Sequence, residues 1–218
     1  MAGKKIIGRM DIVQLVGLSL LLIALPLGSW YYLQTGLDYR LQAFQELQDI
    51  APLPAFEMEN FDDSIVRFER FEDQLVVGHF FNERNEAAFA ENLAKLHEQF
   101  DERSDIYFLA FRNEGATSAA AARQLLKETG TLDEDQVFMP AAEEATLRRM
   151  AERIQLPLEE NGASLMDNSL LFFADSAMVR GFYDLQKPED MRRLIKHITL
   201  NLHPTEEADI IYDPETEK

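Results

Sequence analysis

The chain has 218 residues, 46% of them hydrophobic and 28% charged, which is the composition of a folding protein with room for one ordinary domain and an appendage. Its formal charge of −18 argues against nucleic acid, because phosphate recognition relies on Lys and Arg to neutralise the backbone. Cysteine is missing, so disulfide staples, thiolate nucleophiles, Cys-based zinc sites and CxxC redox pairs are excluded by composition.

Residues 1–11 carry Lys4, Lys5 and Arg9 against Asp11, a net of +2 that leaves −20 for the remainder. From Ile12 to Leu33 the chain reads IVQLVGLSLLLIALPLGSWYYL, without a charge. A helix of that length reaches about 33 Å, enough for a hydrocarbon core of ~30 Å. Trp30, Tyr31 and Tyr32 sit together at its far end, where amphipathic rings favour the membrane–water boundary. Basic residues precede the span, so the positive-inside rule puts 1–11 in the cytoplasm and the remainder outside, a single pass through the inner membrane with a periplasmic domain. The competing reading is a cleaved signal peptide; no A-x-A site follows, and Leu27-Gly28-Ser29 is the nearest substitute.

Residues 34–53 form a connector in which Leu37, Leu41, Phe44 and Leu47 recur at helical spacing, and Pro52 and Pro54 break it. The region 54–204 reads as one domain. Ile65 to Phe71 has the look of an early strand, and Gln74 to Phe81 (QLVVGHFF) of a central strand covered on both faces. A helix follows with Phe89, Leu93, Leu96 and Phe100 on one stripe. Asp105 to Phe111 is a second buried strand, and Thr117 or Ser118 caps an Ala-rich helix that ends at Gly130. Gln136 to Met139 is a short strand, and Leu147, Met150, Ala151 and Ile154 mark another helix. Ser169 to Phe173 and Met178 to Tyr183 are joined by a hairpin-length connection. The last helix opens at Pro188 and presents Met191, Leu194, Ile195, Ile198 and Leu202. Residues 205–218 carry six carboxylates and have the composition of a disordered tail. The order β-β-α-β-α-β-α-β-β-α gives an α/β class, a thioredoxin-like domain with a central mixed sheet flanked by helices, behind one N-terminal transmembrane helix.

Val76–Phe81, ENLAKLHEQF at Glu91–Phe100, and LLFFADSAMVRGFYDLQKPEDMRRLIKHI at Leu170–Ile198 resemble the Sco (SenC) family over roughly 34–203. The resemblance implies a membrane-anchored thioredoxin-like protein of the kind that helps install copper in cytochrome oxidase. It also implies three copper ligands, a CxxxC pair after the first central strand and a His before the hairpin. Here the first stretch reads FNERNEAAF, Phe81 to Phe89, and the His position falls near Met166 or Asp167. Copper wants thiolate, thioether or imidazole, so the family's metal chemistry is not expected to carry over, and no cofactor or metal site is expected.

Other residues give no substitute. His79 lies in the apolar strand before the vacated loop and reads as a core or edge histidine, with a weak metal contact to Met166 as the sharper alternative. His97 reads as a surface residue, and His197 and His203 lie on the last helix and its exit without a ligand-type partner at i, i+4. Glu83, Arg84 and Glu86 read as a solvated helix cap, with a carboxylate–guanidinium cluster as the alternative. No Ser/His/Asp order, Gly-rich phosphate loop or HExxH motif occurs. The reading is therefore of a non-enzymatic, Sco-like protein that acts by binding, as an accessory factor or subunit of a respiratory oxidase complex. Its expected partner surface is Asn82, Glu83, Arg84, Asn85 and Glu86. The alternative is an unrelated anchored extracytoplasmic domain that binds a small ligand or an envelope protein. A topology reporter fused after Lys218 is expected to behave as non-cytoplasmic. A cytoplasmic signal would overturn the orientation, and mature protein beginning near Trp30 would overturn the retained anchor.

Overall fold

The computed structural model describes residues 12–81, 83–133, 135–157 and 169–202, which divide into a first unit ending at Glu46 and a second beginning at Leu47. The expectations for Asn82, Met166, Asp167, His203 and the acidic tail lie outside the described residues. The first unit is helix α1 (Ile12–Glu46), with Pro26 inside it. The uncharged run and the first part of the connector, to Glu46, therefore form one helix, because Gly36 alone interrupts a run of helix-compatible residues between Leu33 and Glu46. The described side chains from Gly17 to Gln34 stand exposed, Leu20, Leu22, Leu25 and Trp30 among them. Among the described residues no helix is long and apolar enough to cross a membrane.

The second unit contains β1 (Ala51–Pro52), β2 (Glu57–Glu59), β3 (Ile65–Arg67), β4 (Leu75–Phe81), α2 (Glu86–Phe100), β5 (Ile106–Asn113) and α3 (Ala119–Glu128). It continues with β6 (Val137–Phe138), β7 (Ala141–Ala142), α4 (Glu144–Arg153), β8 (Leu170–Asp175), β9 (Met178–Asp184) and α5 (Pro188–Asn201). The strands form one mixed sheet in the order β1-β9-β8-β4-β5-β7-β2-β3, with β6 also beside β5. β4 and β5 run parallel, while β8 lies antiparallel to β4 and β9 antiparallel to β8. That central quartet, with α2 and α5 on one face, is the expected thioredoxin-like arrangement.

β4 is buried along its whole length, and its alternation divides the core in two. Leu75, Val77 and Phe81 join Phe89, Leu93 and Leu96 of α2 and Leu194 and Ile198 of α5 on one face. Val76 and Phe80 join Phe56, Phe71, Leu147 and Phe172 on the other. An apolar strand without a polar alternate is what two covered faces require. A hydrogen bond of 2.5 Å between Tyr183 and His197 Nδ1, both buried, ties β9 to α5.

Three local expectations are corrected. Strand β3 stops at Arg67, and Phe68–Phe71 form a 3-10 turn instead. Phe68 N–H still donates to Phe56 O at 3.0 Å, in register with the β2–β3 ladder, and the chain then turns so that Phe71 is fully buried. Pro52 does not simply end the connector. It occupies β1 at the edge of the sheet, where a missing N–H costs no ladder bond, and its neighbours Ile50 and Leu53 donate to Val179 O and Ala177 O at 2.9 and 2.8 Å. Strands β1, β2 and β7 add to the expected order, each too short to show a period. The hairpin between β8 and β9 turns on Ser176 and Ala177, at φ 49° and 59°, the pair of left-handed residues that a two-residue turn of primed type needs.

Gly78 has no alternative. A Cβ built there would lie 1.9 Å from the ring of Phe172, its partner across the β4–β8 ladder, and that ring is fully buried. Gly78→Ala is therefore expected to destabilise the second unit by about 1–3 kcal/mol or more, the usual cost of overpacking a tight core. Chemical denaturation of the full chain in detergent measures it, and an unchanged midpoint would show that the Phe172 ring is free to yield.

Candidate functional site

The site lies where β4 ends, because in the parallel β4–α2 unit the strand delivers its last residues directly to the start of a helix. Four segments meet there: His79–Phe81 of β4, Glu83–Asn92 leading into α2, Ser169–Leu171 opening β8, and Asp184–Lys187 between β9 and α5. Each arrives for a local reason. The β4–β8 register sets His79 opposite Leu171, and the β8–β9 register sets Leu170 opposite Asp184.

His79 is buried at 1% exposure and stacks on Phe89, with ring centroids 5.2 Å apart and planes 17° apart. Its Nδ1 lies 3.0 Å from Leu170 O. A carbonyl can only accept, so Nδ1 carries the proton and Nε2 is left with a lone pair. Among the described residues Nε2 has no hydrogen-bond partner, and it is buried. Beside it is a void of about 10 Å³ lined by Val77, Phe89, Asn92, Leu171 and Leu185, at the lower limit of room for one water. Burial pushes the imidazole down to about 4, although the Leu170 bond works in the other direction. Expected as a core or edge histidine, His79 is a core residue with one nitrogen satisfied.

Around it a polar frame fixes the loop ends. Asn92 Nδ2 donates to Leu185 O at 3.2 Å and to Ala88 O at 2.8 Å. Asp184 accepts from Ser169 Oγ at 2.8 Å and from Gln186 N at 3.0 Å, and pairs with Lys187 Nζ at 3.3 Å. Burial works to raise the Asp184 carboxyl, but the Gln186 N–H, Ser169 hydroxyl and Lys187 ammonium outweigh it and hold the carboxyl below its ordinary value. Its own N–H donates to Asp190 Oδ2 at 3.1 Å, joining the frame to the first turn of α5.

Of the expected surface residues, Arg84 and Glu86 are exposed at the head of α2, within or just after a 3-10 turn over Glu83–Asn85. Asn85 is turned inward, and Gln186 Nε2 donates to its Oδ1 at 3.4 Å. It stands at the N-cap of α2 without a side-chain capping bond. His97, expected at the surface, is instead mostly enclosed, with Nε2 3.3 Å from Asp133 Oδ2, a partner 36 residues away that spacing on α2 does not reveal. Asn92, Ser169 and Asp184 carry no sequence signal, because Ser169 meets Asp184 through the β8–β9 register and Asn92 meets Leu185 through the packing of α2 against the segment after β9.

The side chains present do not fit copper as the resemblance would hold it. No thiol exists, and among the described residues no three His, Cys, Asp or Glu side chains come together to hold a metal ion. The imidazole at the strand end, that of His79, is buried and lines a mostly apolar void. Ser169 donates its hydroxyl hydrogen to the ionised Asp184 at 2.8 Å, and no histidine partners that pair among the described residues.

No protein-family model matches the chain, and no curated protein sequence does. Solved structures do. A SCO1/SenC family lipoprotein from Bacillus anthracis str. Ames superposes with a TM-score of 0.51 at 16% identity, over 67% of this chain and 96% of that one. BsSco, described as a member of the Sco family of cytochrome c oxidase assembly proteins, gives 0.55 at 12% identity over 72% and 99%. The apo Sco1 protein of Thermus thermophilus gives 0.52 at 15% identity over 70% and 92%. At these identities the likeness is one of fold: the chain has a thioredoxin-like fold of the form that Sco proteins share.

His79 makes stability depend on pH. Its folded-state value, about 4, lies below the ordinary 6.5, so between these values the unfolded chain binds the extra proton. The neutral imidazole's contribution is therefore complete above about pH 6.5 and is lost as pH falls through about 4, a total on the order of 3 kcal/mol. Denaturation midpoints of the wild type are expected to fall across that window, and those of His79→Leu to fall less steeply. Parallel curves for the two proteins would assign the acid sensitivity elsewhere.

Proposed function

We propose that this chain is a membrane-anchored, non-catalytic Sco-like protein that acts by binding, as an accessory or assembly factor or a subunit of a respiratory cytochrome oxidase complex. The observation that carries the reading is a Sco-like fold whose first central strand opens into FNERNEAAF, in a chain without cysteine. A scaffold kept while its thiol chemistry is gone retains two uses, shape and surface. BsSco is described by its link to cytochrome c oxidase assembly, and that link is the source of the partner proposed here.

The proposed anchor rests on the sequence. The uncharged run Ile12–Leu33 lies within α1, its described side chains are exposed, and three basic residues precede it. The domain is accordingly assigned to the periplasmic side of the inner membrane, with a single pass. The proposed partner surface is the head of α2, Asn82 to Glu86. Arg84 and Glu86 supply exposed charge there, while Asn85 positions the turn through Gln186. The guanidinium of Arg84 suits a bidentate contact with a carboxylate of the partner.

Co-purification of the full chain from native membranes in mild detergent tests this. Oxidase subunits are expected with the wild type, and Arg84→Glu is expected to weaken the association by about 1–3 kcal/mol if the pair is desolvated. Folding should change by no more than about 0.5 kcal/mol, as surface substitutions usually do. No oxidase component with the wild type would refute the proposed partner. A complex indifferent to Arg84→Glu would move the interface elsewhere.

A further inference from the structure

On the face of the sheet opposite α2 and α5, the chain crosses from β1 to β2 beside α4. Between the two lies a groove of about 230 Å³, lined by Pro54–Met58 and by Thr146, Arg149, Met150 and Arg153. Phe56, Met58 and Met150 are buried and make its apolar floor, while Arg149 and Arg153 are exposed at its rim. The volume is below that of ordinary small-molecule sites and suits one or two side chains.

Its charges are unusual for so acidic a chain. Glu57 at the rim is already paired with Arg67 at 3.2 Å, and the neighbouring Arg148 with Glu144 at 3.4 Å. Arg149 donates to the neutral hydroxyl of Thr146 at 3.0 Å. Arg153 has neither hydrogen bond nor ion pair among the described residues. Two guanidinium groups at i and i+4 thus share one helix face without a carboxylate partner.

The chain carries a segment of the matching character. In TEEADIIYDPETEK, Thr205–Lys218, the apolar Ile210, Ile211 and Tyr212 are flanked by Glu206, Glu207 and Asp209 on one side and Asp213, Glu215 and Glu217 on the other. The tether before the apolar residues is long for so short a chain segment: the seven residues His203–Asp209 span about 23 Å when extended.

We infer that the acidic segment Thr205–Lys218 docks in this groove of its own chain, with Ile210–Tyr212 on Phe56, Met58 and Met150 and its carboxylates on Arg149 and Arg153. Exposed ion pairs contribute little singly, so the apolar residues hold the segment and the charges orient it. The tether makes the encounter intramolecular, so modest intrinsic affinity suffices.

The test is site-directed photocrosslinking in the full chain in detergent, with p-benzoylphenylalanine replacing Tyr212. Crosslinks within one chain, to peptides containing residues 54–58 or 146–153, are expected. Their yield should fall about fivefold or more in an Arg149→Glu/Arg153→Glu variant and at high salt, and persist in Arg149→Lys/Arg153→Lys. Circular dichroism of each variant checks that the fold is intact. Crosslinks between two copies, crosslinks to other peptides, or a yield indifferent to charge reversal would each overturn the inference.

Discussion

Everything in the second unit depends on a strand that has no solvent face. β4 is covered by α2 and α5 below and by α4 and the 53–58 crossing above, and it is flanked by β5 and β8. Such a strand tolerates no polar group without a partner and no extra atom where a neighbour lies close. Gly78 answers the second demand, since the Phe172 ring occupies the space of its missing side chain. His79 answers the first only in part: Nδ1 is matched to Leu170 O, and Nε2 has no partner among the described residues. The same constraint that builds the core therefore leaves one titratable group beneath the end of the strand where this fold presents its site.

That end of the sheet is held by a frame of hydrogen bonds. Asp184 gathers Ser169, Gln186 and Lys187, Asn92 ties α2 to Leu185, and Asp190 anchors the start of α5. These bonds hold three loop ends in one arrangement. On the rim they brace, Arg84 and Glu86 stand exposed with opposite charges.

Much of this was legible in the residues. The unbroken run at 74–81 announces a strand buried twice, and Phe89, Leu93, Leu96 and Phe100 announce the helix that covers it. Ser118 caps α3 by accepting from Ala121 N at 3.2 Å, and Gly130 takes φ 71° just past its end, as their residue types suggest. Legibility failed where an element is shorter than its own period, as in β1, β2 and β7. It failed also where a side chain's environment is set by a distant segment. His97 is enclosed because Asp133 reaches it, and Asn85 is buried because Gln186 does. The site frame belongs to the second kind: Ser169 and Asp184 meet through strand register and Asn92 reaches Leu185 across from α2, contacts between segments far apart in the chain.

The central claim is that the Sco-like scaffold persists here without the means to hold copper. Competition for Cu(I) between the full chain and a colorimetric chelator, under anaerobic reducing conditions, tests it most directly. Thiolate ligands hold Cu(I) most firmly against such a competitor, and the chain has none. The account predicts that the metal stays with the chelator at every protein concentration. Stoichiometric copper retained by the protein would contradict it and would place an unrecognised ligand set at the end of β4.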